Sequence, residues 1–214
     1  MKYYIIVIFT LFIIEIKAQT DDLYYSYAFS KIESMLSGKD SLNFKQAVFT
    51  TENAYFENQL DETVFNNAVL FHTSICRGIM KSGSIVYPEK DSVKVTAQCA
   101  VFVFMTDTIP IKTKKGTQIH SPFTYNFNDF AGQKDWSSMF VSTLMQTQKG
   151  NCHSLPYLYK MIMDELGQPA YLSLAPNHIY TSPSGYAGQI RKAWCWLLGF
   201  VIPTVCIIRI FNPK

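Results

Sequence analysis

The sequence predicts an α+β domain that begins with several helices and carries a small sheet towards its end. Apolar residues recur every three or four positions in successive segments from residue 23 onward, which is the spacing of amphipathic helices. The clearest such segment opens near Asn151 and ends at Gly167. Two short apolar stretches follow it, at 170–174 and 176–180, and their length favours strands.

The first helices follow from their apolar spacing and their boundary residues. One is predicted over 23–36, where the apolar positions stop just before Gly38. Two more are predicted over 41–56 and 61–75, and Asp61 is placed to cap the second of these. The N-terminal part is therefore expected to be helical.

The segment 91–105 is compatible with two kinds of secondary structure. Val95 and Ala97 belong to an alternating series, as in a strand, whereas Ala97, Val101 and Phe104 have helical spacing. We favour a helix here, because the family resemblance described below has one at this place.

The chain from 113 to 133 is rich in Gly, Pro, Asn and Asp, so we expect an irregular loop that wraps over a site or groove. A helix follows at 136–145. The next helix begins at Asn151 or Ser154, and Pro156 is tolerated in its first turn. The predicted buried face of this helix comprises Leu155, Leu158, Tyr159, Ile162 and Leu166.

Residues 1–18 have the pattern of a signal peptide. Lys2 precedes an uncharged apolar run of 12 residues, 3–14, and Ala18 offers a small residue for cleavage. Twelve residues are too few to cross a bilayer. We therefore expect export to the periplasm or the extracellular space, with cleavage near Ala18.

The remaining chain of about 196 residues has the size of one domain. We divide it into a helical part at 19–90, a core at 91–186 and an apolar tail at 187–214. Without the signal peptide there are 17 basic and 15 acidic residues, a net charge of +2. This balance argues against a dedicated nucleic-acid binder.

The tail has an unusual composition, because 194–208 is uncharged, mostly apolar and interrupted by Gly199 and Pro203. We consider three interpretations: a divergent or frame-shifted ending, buried strands, and a membrane anchor. The anchor ranks last because the apolar run is short and interrupted.

Five cysteines in an exported chain leave at least one thiol unpaired. If Cys152 is that thiol, three pairings remain open among Cys76, Cys99, Cys195 and Cys206. The alternative is that the cysteines are small buried residues without disulfides.

Cys152 and His178 are the candidate catalytic residues. A thiol acts as a nucleophile in its ionised form, which a helix N-terminus favours, and an imidazole can take the proton. Candidate oxyanion donors or orienting residues besides the Cys152 backbone are Trp136, Gln146 and Gln148. His153, together with His120 and His178, could supply ligands for a metal ion. Adjacent Cys and His residues do not match the spacing of zinc sites, however, and we expect no metal.

The residues around these two positions carry a family resemblance. Residues 150–159 read GNCHSLPYLY, 165–167 read ELG, 175–178 read APNH, and upstream 122–130 read PFTYNFNDF and 135–136 DW. This block resembles the transglutaminase-like superfamily, with its papain-like cysteine-nucleophile core, and especially exported bacterial members of the SirB-like branch.

The resemblance implies a cysteine at the start of a helix that packs on a small antiparallel sheet. It implies acyl transfer or hydrolysis at a peptide or protein amide, with Cys152 as nucleophile, His178 as base and no cofactor. Asn177 is a further orienting candidate beside the histidine. Relatives with a complete triad carry Asp or Asn on the strand after the histidine, but no Asp or Glu follows Glu165 here.

The missing acid leaves three interpretations open. An amide such as Gln189 or Asn212 orients His178 in an active enzyme, or the chain is an inactive transglutaminase-like module that binds proteins. The third is that the C-terminal segment is not the family's native ending.

Overall fold

The computed structural model describes residues 23–85, 90–114, 116–176 and 178–182. In these ranges the chain is a mixed α+β protein with six α-helices, one short 3-10 helix and three sheets of two strands each. The described residues divide into two compact units, one up to Phe65 and one from Asn66 onward. The predicted α+β class is confirmed.

No helix in the described ranges combines the length and the apolar character needed to cross a membrane. The predicted signal peptide and the apolar tail lie outside the described residues.

The first unit contains the helical segment α1, residues 23–36, the helix α2, Phe44–Tyr55, and the start of α3, Glu62–Lys81. The side chain of Asn43 caps α2 by accepting a hydrogen bond from Gln46 N at 3.0 Å. Asp61 caps α3 as predicted, accepting from Thr63 N at 2.7 Å and Val64 N at 3.1 Å. The three predicted helices are therefore present, and α3 is longer than predicted.

The core of the second unit is built on α4, Ser92–Thr106, and α6, Ser154–Glu165, which contact each other. The ambiguous segment is thus a helix. The alternating apolar residues suggested a strand because α4 is buried over much of its circumference. Val95, Ala97 and Val101 all lie inside the protein. Burial on several sides removes the polar positions that normally reveal helical spacing.

The chain between α4 and α6 is more regular than predicted. The expected loop 113–133 is wrong in part, because it contains the strand β2, Gly116–His120, and the strand β3, Thr124–Tyr125. β2 pairs antiparallel with β1, Ile109–Thr113, and Gly116 has φ 123° at the tight turn between them.

The helix predicted over 136–145 is two elements. A 3-10 helix at Trp136–Met139 is followed by α5, Val141–Thr147, because Phe140 between them has extended backbone. The parallel pair β3 and β4, Lys149–Gly150, then brings the chain to α6.

The last sheet is the hairpin of β5, Tyr171–Ala175, and β6, His178–Ser182. Both strands contact α6. Gly167, with φ 70°, ends α6 as predicted and turns the chain towards β5. The two short strands predicted after α6 are therefore present, and they pair as an antiparallel hairpin.

A cluster of aromatic side chains lies inside the second unit. The Phe104 ring stacks on His120 at a centroid distance of 4.4 Å, and His72 lies 5.1 Å from Phe104. His120 Nε2 contacts Phe104 O at 2.7 Å, while His72 Nδ1 is buried with no hydrogen-bond partner among the described residues. Burial, together with the charge of His120, lowers the pKa of His72 to about 4.

Candidate functional site

The N-terminus of α6 is fixed by Asn151, whose side chain is fully buried. Its Oδ1 accepts hydrogen bonds from His153 N at 2.9 Å and Ser154 N at 3.3 Å, and its Nδ2 donates to Phe130 O at 3.2 Å. Ser154 Oγ in turn accepts from Asn151 N at 3.1 Å. This reciprocal capping satisfies free N–H groups of the helix and fixes the turn that carries Cys152.

Gly150 lets β4 approach the start of α6 closely. A Cβ atom on this residue would lie 2.6 Å from Ser154 Oγ and 2.8 Å from Leu144 Cδ1. Both distances are shorter than a normal carbon contact, so a larger residue here would force the Ser154 and Leu144 side chains to shift. Cys152 follows two residues later and is therefore held at a fixed place.

Cys152 carries a free thiol and is 7% exposed. Its Sγ lies 3.7 Å from His153 Nδ1, within hydrogen-bonding distance for sulfur. Burial, and then the charge of His178, lowers the pKa of His153. The His153 imidazole is therefore mostly neutral at pH 7 and can accept a proton.

His178 is the first residue of β6 and pairs with Ala175 of β5. It lies on the hairpin that contacts α6, and its charge contributes to the lowered pKa of His153. No hydrogen bond links Cys152 to His178 in the described part of the chain. The histidine that contacts the sulfur is thus His153, which the sequence interpretation treated as a metal candidate.

Tyr125 is a site residue that the sequence interpretation missed. Burial, and then the neighbouring Cys152, raise the pKa of Tyr125. The sequence predicted only an irregular loop over 113–133 that wraps over a site or groove. The missing signal was the pairing of Tyr125 with Gly150, because a two-residue parallel strand has no periodicity to detect.

The three predicted oxyanion candidates have no hydrogen bond to Cys152 in the ranges that the structure covers. Trp136 is 54% exposed and Gln146 is also exposed. Gln148 donates from Nε2 to Ser121 O at 3.3 Å and ends α5 with φ 56°. The remaining candidate, Asn177, lies outside the described residues, as do Gln189 and Asn212.

The thiols fall into different environments. Cys76 is free and fully buried, and burial strongly raises its pKa, so disulfide pairings that include it are excluded. Cys99 is disulfide-bonded. Cys195 and Cys206 lie outside the described residues.

Within the described residues, no group of three or more His, Cys, Asp or Glu side chains could hold a metal ion. His120 belongs to the aromatic cluster with Phe104, where its Nε2 contacts a backbone carbonyl.

Fold and site together define a mixed α+β protein with a free cysteine at a capped helix start, beside the imidazole of His153. No protein-family model, curated protein or solved structure matches the chain.

Proposed function

We propose that this chain is an exported cysteine-dependent amide or peptide hydrolase, or acyl transferase, of transglutaminase-like type. Cys152 is the nucleophile and His178 the general base. The observation that carries the proposal is the free Cys152 thiol in the turn that leads directly into the capped helix α6, with an imidazole 3.7 Å from its sulfur. Helix N-termini and imidazoles are the two groups that most often activate cysteine.

The reaction follows from these groups. The thiol gives its proton to an imidazole, and the sulfur attacks the carbonyl carbon of a peptide or protein amide. The imidazolium then protonates the leaving amine, which departs as the thioester forms. Water, or a second amine, attacks the thioester and restores the thiol. We favour hydrolysis, because water is far more concentrated in solution than any acceptor amine.

Two imidazoles compete for the role of base. His178 is the candidate from the family resemblance, and its hairpin packs on α6. His153 contacts the sulfur, and its lowered pKa keeps it available as an acceptor. We assign proton transfer to His178 and orientation of the thiol to His153, and variants can separate the two roles.

A panel of variants tests the proposal with p-nitrophenyl acetate, a small activated acyl donor. Cys152→Ala and His178→Asn are each expected to lower the hydrolysis rate at least about 100-fold, which is the usual contribution of a nucleophile or general base. His153→Asn is expected to have a smaller effect. Cys76→Ala, which removes the other free thiol, is the matched control and is expected to retain the rate.

The results separate the assignments. Wild-type activity in Cys152→Ala would overturn the proposed function. A large loss in His153→Asn with little loss in His178→Asn would transfer the role of base to His153 and leave the class of reaction unchanged.

One observation favours a second candidate, an inactive transglutaminase-like module that binds proteins. Cys152 is hydrogen-bonded to His153 and has no hydrogen bond to His178 among the described residues. A thiol without its base would give the same low rate in the wild type and in Cys152→Ala. Equal rates in these two proteins, with both correctly folded, would favour this module.

A further inference from the structure

A groove in the second unit has no part in the proposed mechanism, and none of its lining residues belongs to the turn around Cys152. This β1 groove has a volume of about 870 Å³ and lies between α3, the end of α4 and the strand β1. Ligand sites in proteins commonly have this size and a mostly apolar lining. The main apolar side chains of the groove are Phe71, Ile75, Ile79, Val103, Ile109 and Ile111.

One wall of the β1 groove is the edge of a strand. Every residue of β1, Ile109–Thr113, lines the groove. Side chains of a strand point alternately to its two faces, so one face alone would contribute only every second residue. Among the described residues β1 pairs with β2 and with no other strand. The groove therefore follows the unpaired edge of β1.

This edge offers backbone hydrogen-bonding groups at Lys112 and Pro110. Thr113 pairs with Gly116 across a two-residue connection, which makes them a hydrogen-bonded pair of the hairpin. Bonded and non-bonded pairs alternate along an antiparallel ladder, so Lys112 and Pro110 direct their backbone groups away from β2. Pro110 fits this position, because its missing N–H is not needed by the ladder. Lys112 N–H, Lys112 C=O and Pro110 C=O can therefore bond a further strand.

Opposite charges lie along the same wall. Asp107 and Lys112 both line the groove and are exposed, and neither forms an ion pair within the described ranges. The backbone of Asp107 is extended, with φ −116° and ψ 156°, and β1 begins two residues later. Five residues of extended chain put the two charges about 16 Å apart. A ligand that matches them has an extended body with a charge at each end.

We propose that the β1 groove binds an extended peptide segment of a partner protein, which adds to β1 as an antiparallel strand. Hydrogen bonds to the Lys112 and Pro110 backbone supply affinity, and apolar side chains at alternate positions enter the groove. An acidic residue of the peptide faces Lys112, and a basic residue five positions later faces Asp107. The antiparallel direction lets Lys112 exchange both of its hydrogen bonds with one residue. Binding here is independent of the proposed function, because Cys152 takes no part in it.

Fluorescence anisotropy with a labelled hexapeptide and the full chain tests this proposal. The peptide EVTVTK has the required pattern: its valines lie opposite Ile111 and Ile109, and its charged ends face Lys112 and Asp107. We expect saturable binding of EVTVTK. The peptide KVTVTE, in which the two charges are exchanged, is expected to bind at least about fivefold more weakly.

Gly78 allows the groove to be filled without disturbing the fold. It lines the groove, and a Cβ atom there meets nothing within 4 Å. Gly78→Leu is expected to keep the circular dichroism of the wild type and to weaken binding of EVTVTK at least about tenfold, since the leucine takes up space that the valines need. Gly78→Ala is the matched control and is expected to bind within about twofold of the wild type.

A second pair of variants tests the backbone hydrogen bond. Lys112→Pro removes the outward N–H and leaves the bonds of the ladder to β2 in place. Lys112→Gln removes the same charge and keeps the N–H. We expect Lys112→Pro to bind EVTVTK about fivefold more weakly than Lys112→Gln does, which is the scale of one hydrogen bond.

Each outcome decides the proposal. It is overturned if EVTVTK does not bind, if both peptides bind equally, or if Gly78→Leu binds like the wild type. Equal binding by Lys112→Pro and Lys112→Gln excludes the added strand. Self-association of the wild type that Gly78→Leu abolishes, measured by sedimentation, would assign the groove to a second copy of the chain and also overturn it. Cys152→Ala is expected to bind EVTVTK normally, so a failure of the proposed function is distinguishable.

Discussion

Asn151 is the residue on which the geometry of the nucleophile depends most. It is fully buried and forms side-chain hydrogen bonds to His153 N, Ser154 N and Phe130 O. It therefore joins the helix start to the upstream loop. The sequence predicted the cap, but the bond to Phe130 was not predictable, since the two residues are 21 positions apart.

Asn151→Ala is expected to lower the free energy of unfolding by about 2 kcal/mol, because the cap is lost and buried N–H groups remain unpaired. Urea unfolding followed by circular dichroism measures this change. Asn67→Ala, an exposed position on α3, is the control and is expected to change stability by less than about 0.5 kcal/mol. Equal, small effects of the two substitutions would show that the cap is unimportant.

At the scale of elements, the close approach of β4 to α6 determines where the thiol lies. The sequence predicted α6, its Gly167 end and the two strands after it, because apolar spacing and stop signals are local features. It did not predict β3 and β4, whose pairing joins Thr124 to Lys149 and Tyr125 to Gly150. That contact arises only in the folded chain, so Tyr125 was missed with it.

Two glycine substitutions test the close approach. Gly150→Ala is expected to destabilise the protein by about 1–3 kcal/mol, because the new Cβ would overlap Ser154 Oγ and Leu144 Cδ1. Gly78→Ala lies within α3, where a Cβ meets nothing within 4 Å, and is expected to stabilise it by about 0.5–1 kcal/mol. Thermal unfolding by calorimetry measures whether each substitution raises or lowers the stability of the protein. A Gly150→Ala protein as stable as the wild type would contradict the packing described for β4.

At the scale of the whole molecule, burial of His72 makes stability depend on pH. Its pKa is about 4 in the folded chain against an ordinary value of 6.5, so the unfolded chain takes up the proton first. Stability is therefore expected to fall as the pH drops from about 6.5 to about 4, by about 2–3 kcal/mol between pH 7 and 4.5.

Urea unfolding at several pH values, with wild type and His72→Phe, measures this dependence. The variant keeps an aromatic ring beside Phe104 and removes the titrating group. We expect it to lose less stability than the wild type on acidification. The same pH dependence in both proteins would exclude His72 as its source.

The whole chain also shows where sequence reasoning ends. Short stretches of sequence were enough to predict the helical spacing, the caps and the α+β class. The Asp61 cap, the Gly167 helix end and the strands after α6 all lie where they were predicted. The histidine that contacts the Cys152 sulfur could not be predicted from the sequence, because His153 reaches that sulfur only through the turn that Asn151 fixes.

The most direct measurement is the site of acetylation after a rapid-quench reaction with p-nitrophenyl acetate. If Cys152 is the nucleophile, peptide mass spectrometry will find one acetyl group per chain as a thioester on Cys152, and none in Cys152→Ala. The Cys76 thiol provides an internal reference. It is buried, and burial raises its pKa, so it is expected to stay unmodified. Acetylation absent from Cys152, or found equally on Cys76, would contradict the assignment of Cys152 as the nucleophile.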